Sequence, residues 1–304
     1  MQNDEKNQYG ITIFTATYNR AYIIDQLYES LKKQTVKDFE WIIIDDGSTD
    51  NTLNLLEEWK HSENNFTIRF VQTQNGGKHR AINIGMEMSN GELFFIVDSD
   101  DHLPETAIET ILRWYPGIKD HPMYAGLGGL KAYRNGSIVG RTFNGEYVDA
   151  TSLERIRLRL IGDKAEIFKT KIVKEYKFPE IENEKFIPEG IIWNRIANDG
   201  LKIRWFNEVV YLCEYLEDGL TSNSDTLLLN NFEGYTLYIK ENMTYYNICN
   251  PYLLRILTAY VYRAKKKGLT FREIQERIQL NRALIIILHC IGKAHYSFKD
   301  RLYK

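Results

Sequence analysis

Short apolar runs alternate with amphipathic stretches through the first hundred residues. Ile11-Thr12-Ile13-Phe14-Thr15 and Trp41-Ile42-Ile43-Ile44 are continuous β-prone runs, and residues 66–72 and 92–97 repeat the pattern. Between them, residues 21–33, a stretch opening at Thr49 or Asp50, and residues 79–88 read as helices. The second of these places Leu53, Leu56 and Trp59 on one face. Continuous rather than alternating apolar strands are buried on both sides, so the pattern predicts a parallel sheet covered by helices. In open sheets of this kind ligands bind beyond the carboxyl ends of the strands. That rule gathers Tyr18 and Asn19, Asp45 and Asp46, residues 75–78, and Asp98, Asp100 and Asp101 along one edge.

After Asp101 the pattern is mixed. Residues 123–133 and 137–143 read as a hairpin around Arg134-Asn135-Gly136, an Asn-Gly turn. A short strand is expected at 164–168. A charged loop with two prolines follows at 178–190, then an amphipathic helix over 191–198 and strands at 201–206 and 209–213. Beyond Thr221 the chain is helix-prone, with one helix ending at 263–267 and another over 271–290. The expected organisation is an α/β domain over 1–224, with halves at about 10–101 and 102–224, and a helical, basic extension over 225–304.

Composition narrows the class. The apolar and charged fractions, 43% and 26%, are those of a globular protein. A net charge of -2 offers no electrostatic footprint for nucleic acid. Cys213, Cys249 and Cys290 lie far apart without metal-ligand spacing and read as thiols of a reducing compartment. The first ten residues lack the apolar core of a secretory signal, and no run approaches the roughly 18 apolar residues of a membrane span. A cytoplasmic setting is therefore expected. From Pro251 onward, however, 12 Lys and Arg stand against 3 Asp and Glu, leaving about -11 for the rest. A basic amphipathic tail can rest on the inner face of the cell membrane or pack on the first domain with a solvated basic face.

Four constellations carry chemistry. Val97-Asp98-Ser99-Asp100-Asp101 puts three carboxylates in four residues directly after an apolar strand. Such crowding asks for a cation, and one or two carboxylates completed by substrate phosphates is the usual arrangement for Mg²⁺ or Mn²⁺. The alternative is a solvated acidic turn, which the position at a strand end disfavours. Asp45-Asp46-Gly47-Ser48 can accept hydrogen bonds from a ribose or base, or form an Asx turn into the next helix. Asn75-Gly76-Gly77-Lys78 can bring backbone N–H groups and a cation to an anion at a helix N-terminus, or be a plain loop. Glu189, before the amphipathic helix, can serve as a general base, with Glu182 and Glu184 as competitors.

Together these segments resemble the family 2 glycosyltransferases over roughly residues 10–220. The likeness rests on Thr15-Ala16-Thr17-Tyr18-Asn19-Arg20, Gln34-Thr35, and the run from Trp41 through Asp45-Asp46-Gly47-Ser48 to Thr52. It continues through Asn75-Gly76-Gly77-Lys78 with Ala81 and Asn83 to Asp98-Ser99-Asp100-Asp101, in the family's order. The resemblance implies a GT-A fold and inverting transfer of a sugar from a nucleotide-diphosphate donor, usually a UDP-sugar, to a saccharide or lipid-linked acceptor. It implies that Ala16 and Tyr18 line the base pocket and that Asp46, with Asp45, binds the nucleoside. Lys78 would lie near the base or diphosphate. Asp98-Ser99-Asp100 would be the DxD motif, Asp98 toward the ribose and Asp100 on Mn²⁺ or Mg²⁺, with Asp101 in support. The family's base commonly belongs to a Glu-Asp pair before a helix; here Glu189-Gly190 keeps only the glutamate. Residues 214–221 resemble a segment that closes over the donor. A catalytically inactive sugar-nucleotide binder, a nucleotidyltransferase and a phosphoacceptor domain are the rival readings. The last would be shorter, and the second lacks its Gly-rich triphosphate loop.

Overall fold

The computed structural model describes residues 8–214 and 224–302, with side chains to residue 295. Most of the expected donor-closing segment, 214–221, therefore lies outside the described residues. Strand β1 (Tyr9–Thr17), helix α1 (Asp25–Lys32), β2 (Phe39–Asp45), α2 (Thr52–Ser62), β3 (Thr67–Gln72), α3 (Lys78–Met88) and β4 (Gly91–Ile96) alternate as the apolar pattern dictates. They are followed by α4 (Ala107–Trp114), β5 (Tyr124–Tyr133), β6 (Tyr147–Ala150), β7 (Lys164–Lys169), α5 (Thr170–Val173), α6 (Gly190–Asn198) and β8 (Lys202–Cys213).

The strands form one eight-stranded sheet in the order β3-β2-β1-β4-β7-β5-β8-β6. The β3-β2-β1-β4 half is parallel, as is β5 with β8, while β7 runs antiparallel between β4 and β5 and β6 closes the edge antiparallel to β8. Every residue of β2 is buried, as a central strand covered on both faces must be. Tyr28 stacks on Trp59 at 4.4 Å and Trp59 lies 6.0 Å from Trp41, pinning α1 and α2 over that strand.

Three expectations for single elements change. The strands expected at 201–206 and 209–213 are one strand, β8. Its pairing with β5 slips between Gly128/Trp205 and Leu130/Val209, a bulge that absorbs the polar pair Asn207-Glu208. Asn207 Nδ2 there donates to the carbonyls of Phe143 and Gly145 at 2.6 and 2.9 Å. The Asn-Gly turn forms, with Gly136 N–H donating to Tyr133 O at 2.8 Å, but the returning chain makes only the bridge Ala132–Ile138 before Gly140 turns it aside at φ 79°. The helix expected over 271–290 is two helices, separated by Gln279 in the left-handed region at φ 54°. Asn281 Oδ1 then accepts from Ala283 N–H at 2.9 Å and starts the second.

Among the described residues, 8–180 and 192–214 form one compact unit, and 181–191 with 224–302 a second. The second holds α7 (Ser224–Asn230), α8 (Phe232–Tyr245), α9 (Pro251–Lys266), α10 (Phe271–Ile278) and α11 (Arg282–Leu302) around Tyr235, Ile239, Leu257, Tyr260 and Ile274. The sequence pattern placed 181–191 in the α/β domain. It joins the helices because Asn231 Oδ1 accepts from Lys185 and Phe186 N–H at 2.7 and 3.1 Å. No helix among the described residues is long and apolar enough to cross a membrane. All three cysteines are free, Cys213 buried and Cys249 and Cys290 exposed.

Candidate functional site

The carboxyl ends of β1, β2 and β4 lie side by side, Thr17 opposite Asp45 and Phe14 opposite Ile96. The adjacent acids at the end of β2 do different work, because successive side chains along a strand point opposite ways. Asp45 is fully buried and its carboxylate turns back to Ser48, accepting from Ser48 N–H at 3.2–3.3 Å and from the Ser48 hydroxyl. Asp46 is also buried, each oxygen accepting one backbone N–H at 2.8 Å, from Gly76 and Gly77. Gly47 joins them at φ 84°, where a side chain would also meet Asn75 N at 2.9 Å.

Asp46 thus holds the Asn75–Lys78 loop at the positive end of α3, which begins at Lys78. Asn19, at φ 52°, clamps the same turn from β1. Its side-chain oxygen accepts from Thr49 N–H at 2.8 Å, and its own N–H donates to Ser48 Oγ at 2.8 Å. Ala16 is half-buried at the end of β1, and Tyr18 is 48% exposed beside it.

The acidic loop follows β4. Lys78 Nζ sits 2.5 Å from Asp98 Oδ1, and Arg20 Nη2 sits 3.8 Å from Asp100 Oδ2. Ser99 is buried. Burial works against the charge on Asp98, but Lys78, Lys131 and Arg20 outweigh it and hold the carboxyl below the usual range. Asp100 is pushed the other way, by burial first and then by the charge of Asp98. Burial and Asp98 push Asp101 up to about 7, against the hydrogen bond from Tyr211. Lys78, Lys131 and Arg20 all face this group of three carboxylates, yet burial dominates at Asp100 and Asp101.

Residues distant in sequence complete the loop. The Tyr211 hydroxyl on β8 accepts from Asp98 N–H at 3.0 Å and donates to Asp101 Oδ2 at 2.7 Å, while Glu214 N–H donates to Asp101 Oδ1 at 3.2 Å. Lys131 of β5 lies 4.2 Å over the Tyr211 ring and pairs with Asp163 at 2.8 Å. Burial disfavours its charge, yet Asp163 and Asp98 raise its pKa overall. Arg20 adjoins residues the sequence singled out. Lys131 and Tyr211 carry no local signal, since only the pairing of β5 with β8 brings them here.

Among the described residues no group of three or more His, Cys, Asp or Glu is arranged to hold a metal. Asp98 and Asp100 are two carboxylates on one loop, facing Lys78 and Arg20 respectively.

The candidate bases separate within the helical unit. Glu184 is buried and its two oxygens accept from Glu233 and Gly234 N–H, each at 2.7 Å, so it caps α8. Glu182 is exposed, and Glu189 is half-buried immediately before α6.

Comparison with known proteins places this edge in context. The sequence profile for Glycosyl transferase family 2 matches residues 12–120. The poly(ribitol-phosphate) beta-glucosyltransferase of Bacillus spizizenii is 29% identical over 169 residues, 55% of this chain but 26% of that protein's length. The crystal structure of Staphylococcus aureus TarS 1-349 in complex with UDP-GlcNAc superposes with a TM-score of 0.59 at 20% identity, covering 95% of this chain and 92% of that one. The mannosyltransferase PcManGT of Pyrobaculum calidifontis, in complex with GDP-Man and Mn²⁺, gives 0.56 at 15% identity, covering 95% and 88%. These structural likenesses show the GT-A fold.

Proposed function

We propose, from the glycosyl transferase family 2 domain that this chain carries, that it moves a sugar from a UDP-sugar to a hydroxyl of a saccharide or lipid-linked acceptor, with inversion at the anomeric carbon. The observation that carries the reading is the meeting of Lys78, Asp98, Asp100 and Arg20 at the sheet's carboxyl edge. In it Ala16 and Tyr18 line the base pocket and Asp46 receives the nucleoside. Asp45, whose carboxylate accepts from Ser48, stands beside Asp46 at the turn and supports the nucleoside side of the site. Asp98 faces the ribose, with Ser99 in the same loop, and Lys78 meets the diphosphate. Asp100, with Asp98, would hold Mn²⁺ or Mg²⁺, and Asp101 supports the loop through Tyr211. A divalent cation there would neutralise charge on the departing diphosphate as a Lewis acid.

Glu189 takes the proton from the acceptor hydroxyl as its oxygen bonds to the anomeric carbon from the face opposite the diphosphate, which leaves with the bonding pair. The complexes of TarS with UDP-GlcNAc and of PcManGT with GDP-Man and Mn²⁺ support a nucleotide-sugar site and a metal. The Bacillus spizizenii relative, named for poly(ribitol-phosphate), supports a setting in bacterial surface-polymer assembly.

The test is incubation with UDP-sugars, Mn²⁺ and saccharide acceptors, with products read by mass spectrometry and proton NMR. A glycosylated acceptor of inverted anomeric configuration supports the proposal. Donor bound but neither transferred nor hydrolysed identifies an inactive binder, and attack at the α-phosphate a nucleotidyltransferase.

A further inference from the structure

Helix α11 carries two apolar faces. Ile285 and Leu288 are buried in the core of the helical unit, and Gly292 brings the helix against α9, where a Cβ would meet Tyr262 Cβ at 3.1 Å. On the other side Ala283, Ile286, Ile287, Cys290, Ile291 and Ala294 are exposed, Ile287 and Ile291 by more than half. At about 100° per residue these six fall in one sector of roughly 140°. Arg282 and Lys293 stand along one border of it and His295 along the other, all exposed. From Arg282 to His295 the helix has no Asp or Glu.

A single exposed isoleucine needs no explanation, but a continuous stripe flanked by Arg282, Lys293 and His295 does. We propose that α11 lies flat on an anionic lipid surface, Ile286, Ile287 and Ile291 entering the acyl boundary and Arg282 and Lys293 meeting the phosphate headgroups. Charge selects lipid over a second copy of the chain. A two-fold pairing of this face would set Arg282 and Lys293 against their own counterparts, whereas an anionic surface complements the excess of 12 basic over 3 acidic residues from Pro251 onward. The surface lies wholly within the helical unit and does not depend on the transferase reading.

The experiment is co-sedimentation of the full chain with phosphatidylcholine vesicles, with and without phosphatidylglycerol, alongside light scattering. Two variants are compared: Ile286→Ser/Ile287→Ser/Ile291→Ser and Arg282→Gln/Lys293→Gln. All five positions are exposed, so both variants should keep the wild-type circular dichroism. The wild type is expected to bind the phosphatidylglycerol vesicles as a monomer. The serine variant should bind at least about tenfold more weakly. The glutamine variant should lose about fivefold per cation at low salt. Absence of wild-type binding to anionic vesicles, or binding unchanged in the serine variant, would overturn the proposal. So would a wild-type dimer that the serine variant splits, which would assign the stripe to a second copy.

Discussion

Tyr211→Phe removes one oxygen from a buried residue and tests how the acidic loop is held. The hydroxyl joins Asp98 N–H, at 3.0 Å, to the Asp101 carboxylate, at 2.7 Å. Tyr211 is 1% exposed and Asp101 6%, so water does not readily replace it. The phenylalanine ring keeps the edge contact to Phe95 and the Lys131 ammonium above it, and the change isolates the hydroxyl. Its loss orphans a backbone N–H and leaves Asp101 the Glu214 N–H. An orphaned buried group costs about 1–3 kcal/mol and a neutral hydrogen bond about 1, so the expected destabilisation is about 2–4 kcal/mol. For a chain of this size that lowers the melting temperature by roughly 5 °C or more. With Asp98 released at one anchor, UDP affinity measured with Mn²⁺ should fall about tenfold, which is about 1.4 kcal/mol. Urea unfolding and calorimetric titration of the same preparations read the two effects. A Phe variant within about 0.5 kcal/mol of the wild type would refute the anchoring argument. Lost stability with unchanged UDP affinity would confine Tyr211 to a structural role.

Asp46→Ala frees two backbone N–H groups of the glycine loop and should weaken UDP binding more than tenfold by calorimetry, a loss above about 1.4 kcal/mol. Glu189→Gln should lower transfer by about 10²–10⁴ in a product assay while donor affinity holds. Glu184→Gln should instead destabilise α8 by about 1 kcal/mol in thermal unfolding. His79 is 2% exposed, neither ring nitrogen has a hydrogen-bond partner among the described residues, and burial with Arg80 pushes its pKa down to about 4. The unfolded chain then binds a proton that the folded one does not, so stability should fall by up to about 3 kcal/mol as pH drops from about 6.5 to about 4. His79→Leu should remove that part of the acid sensitivity in urea unfolding compared between about pH 5 and pH 7.

The parallel half of the sheet was legible because β1, β2 and β4 are continuous apolar runs that end directly in polar clusters. Helix α4 was not, since its eight residues give barely two turns of periodicity around Ile108 and Ile111. Strand β6 offers four residues, too few for an alternation to register. The break expected at Asn207-Glu208 was a true polar signal with another cause, a bulge within one strand. The same limit applies at the candidate site. Residues following strands announce themselves, so Asp46, Lys78, Asp98 and Asp100 could be nominated one by one. Both Asp45 and Asp46 are buried, and their different work appears only with the hydrogen bonds. Tyr211 depends on pairings across more than a hundred residues and Lys131 on the register of β5 with β8, which no local pattern encodes. Glu182, Glu184 and Glu189 look alike in sequence, and Glu184 is set apart only by the helix it caps.

The most direct test of the central claim is calorimetric titration of the protein with UDP and UDP-sugars, with and without Mn²⁺, repeated on Asp100→Ala. The account predicts UDP binding that strengthens with Mn²⁺ and loses that dependence in the variant. No nucleotide binding under any condition would contradict it and return Asp98, Asp100 and Asp101 to a structural role.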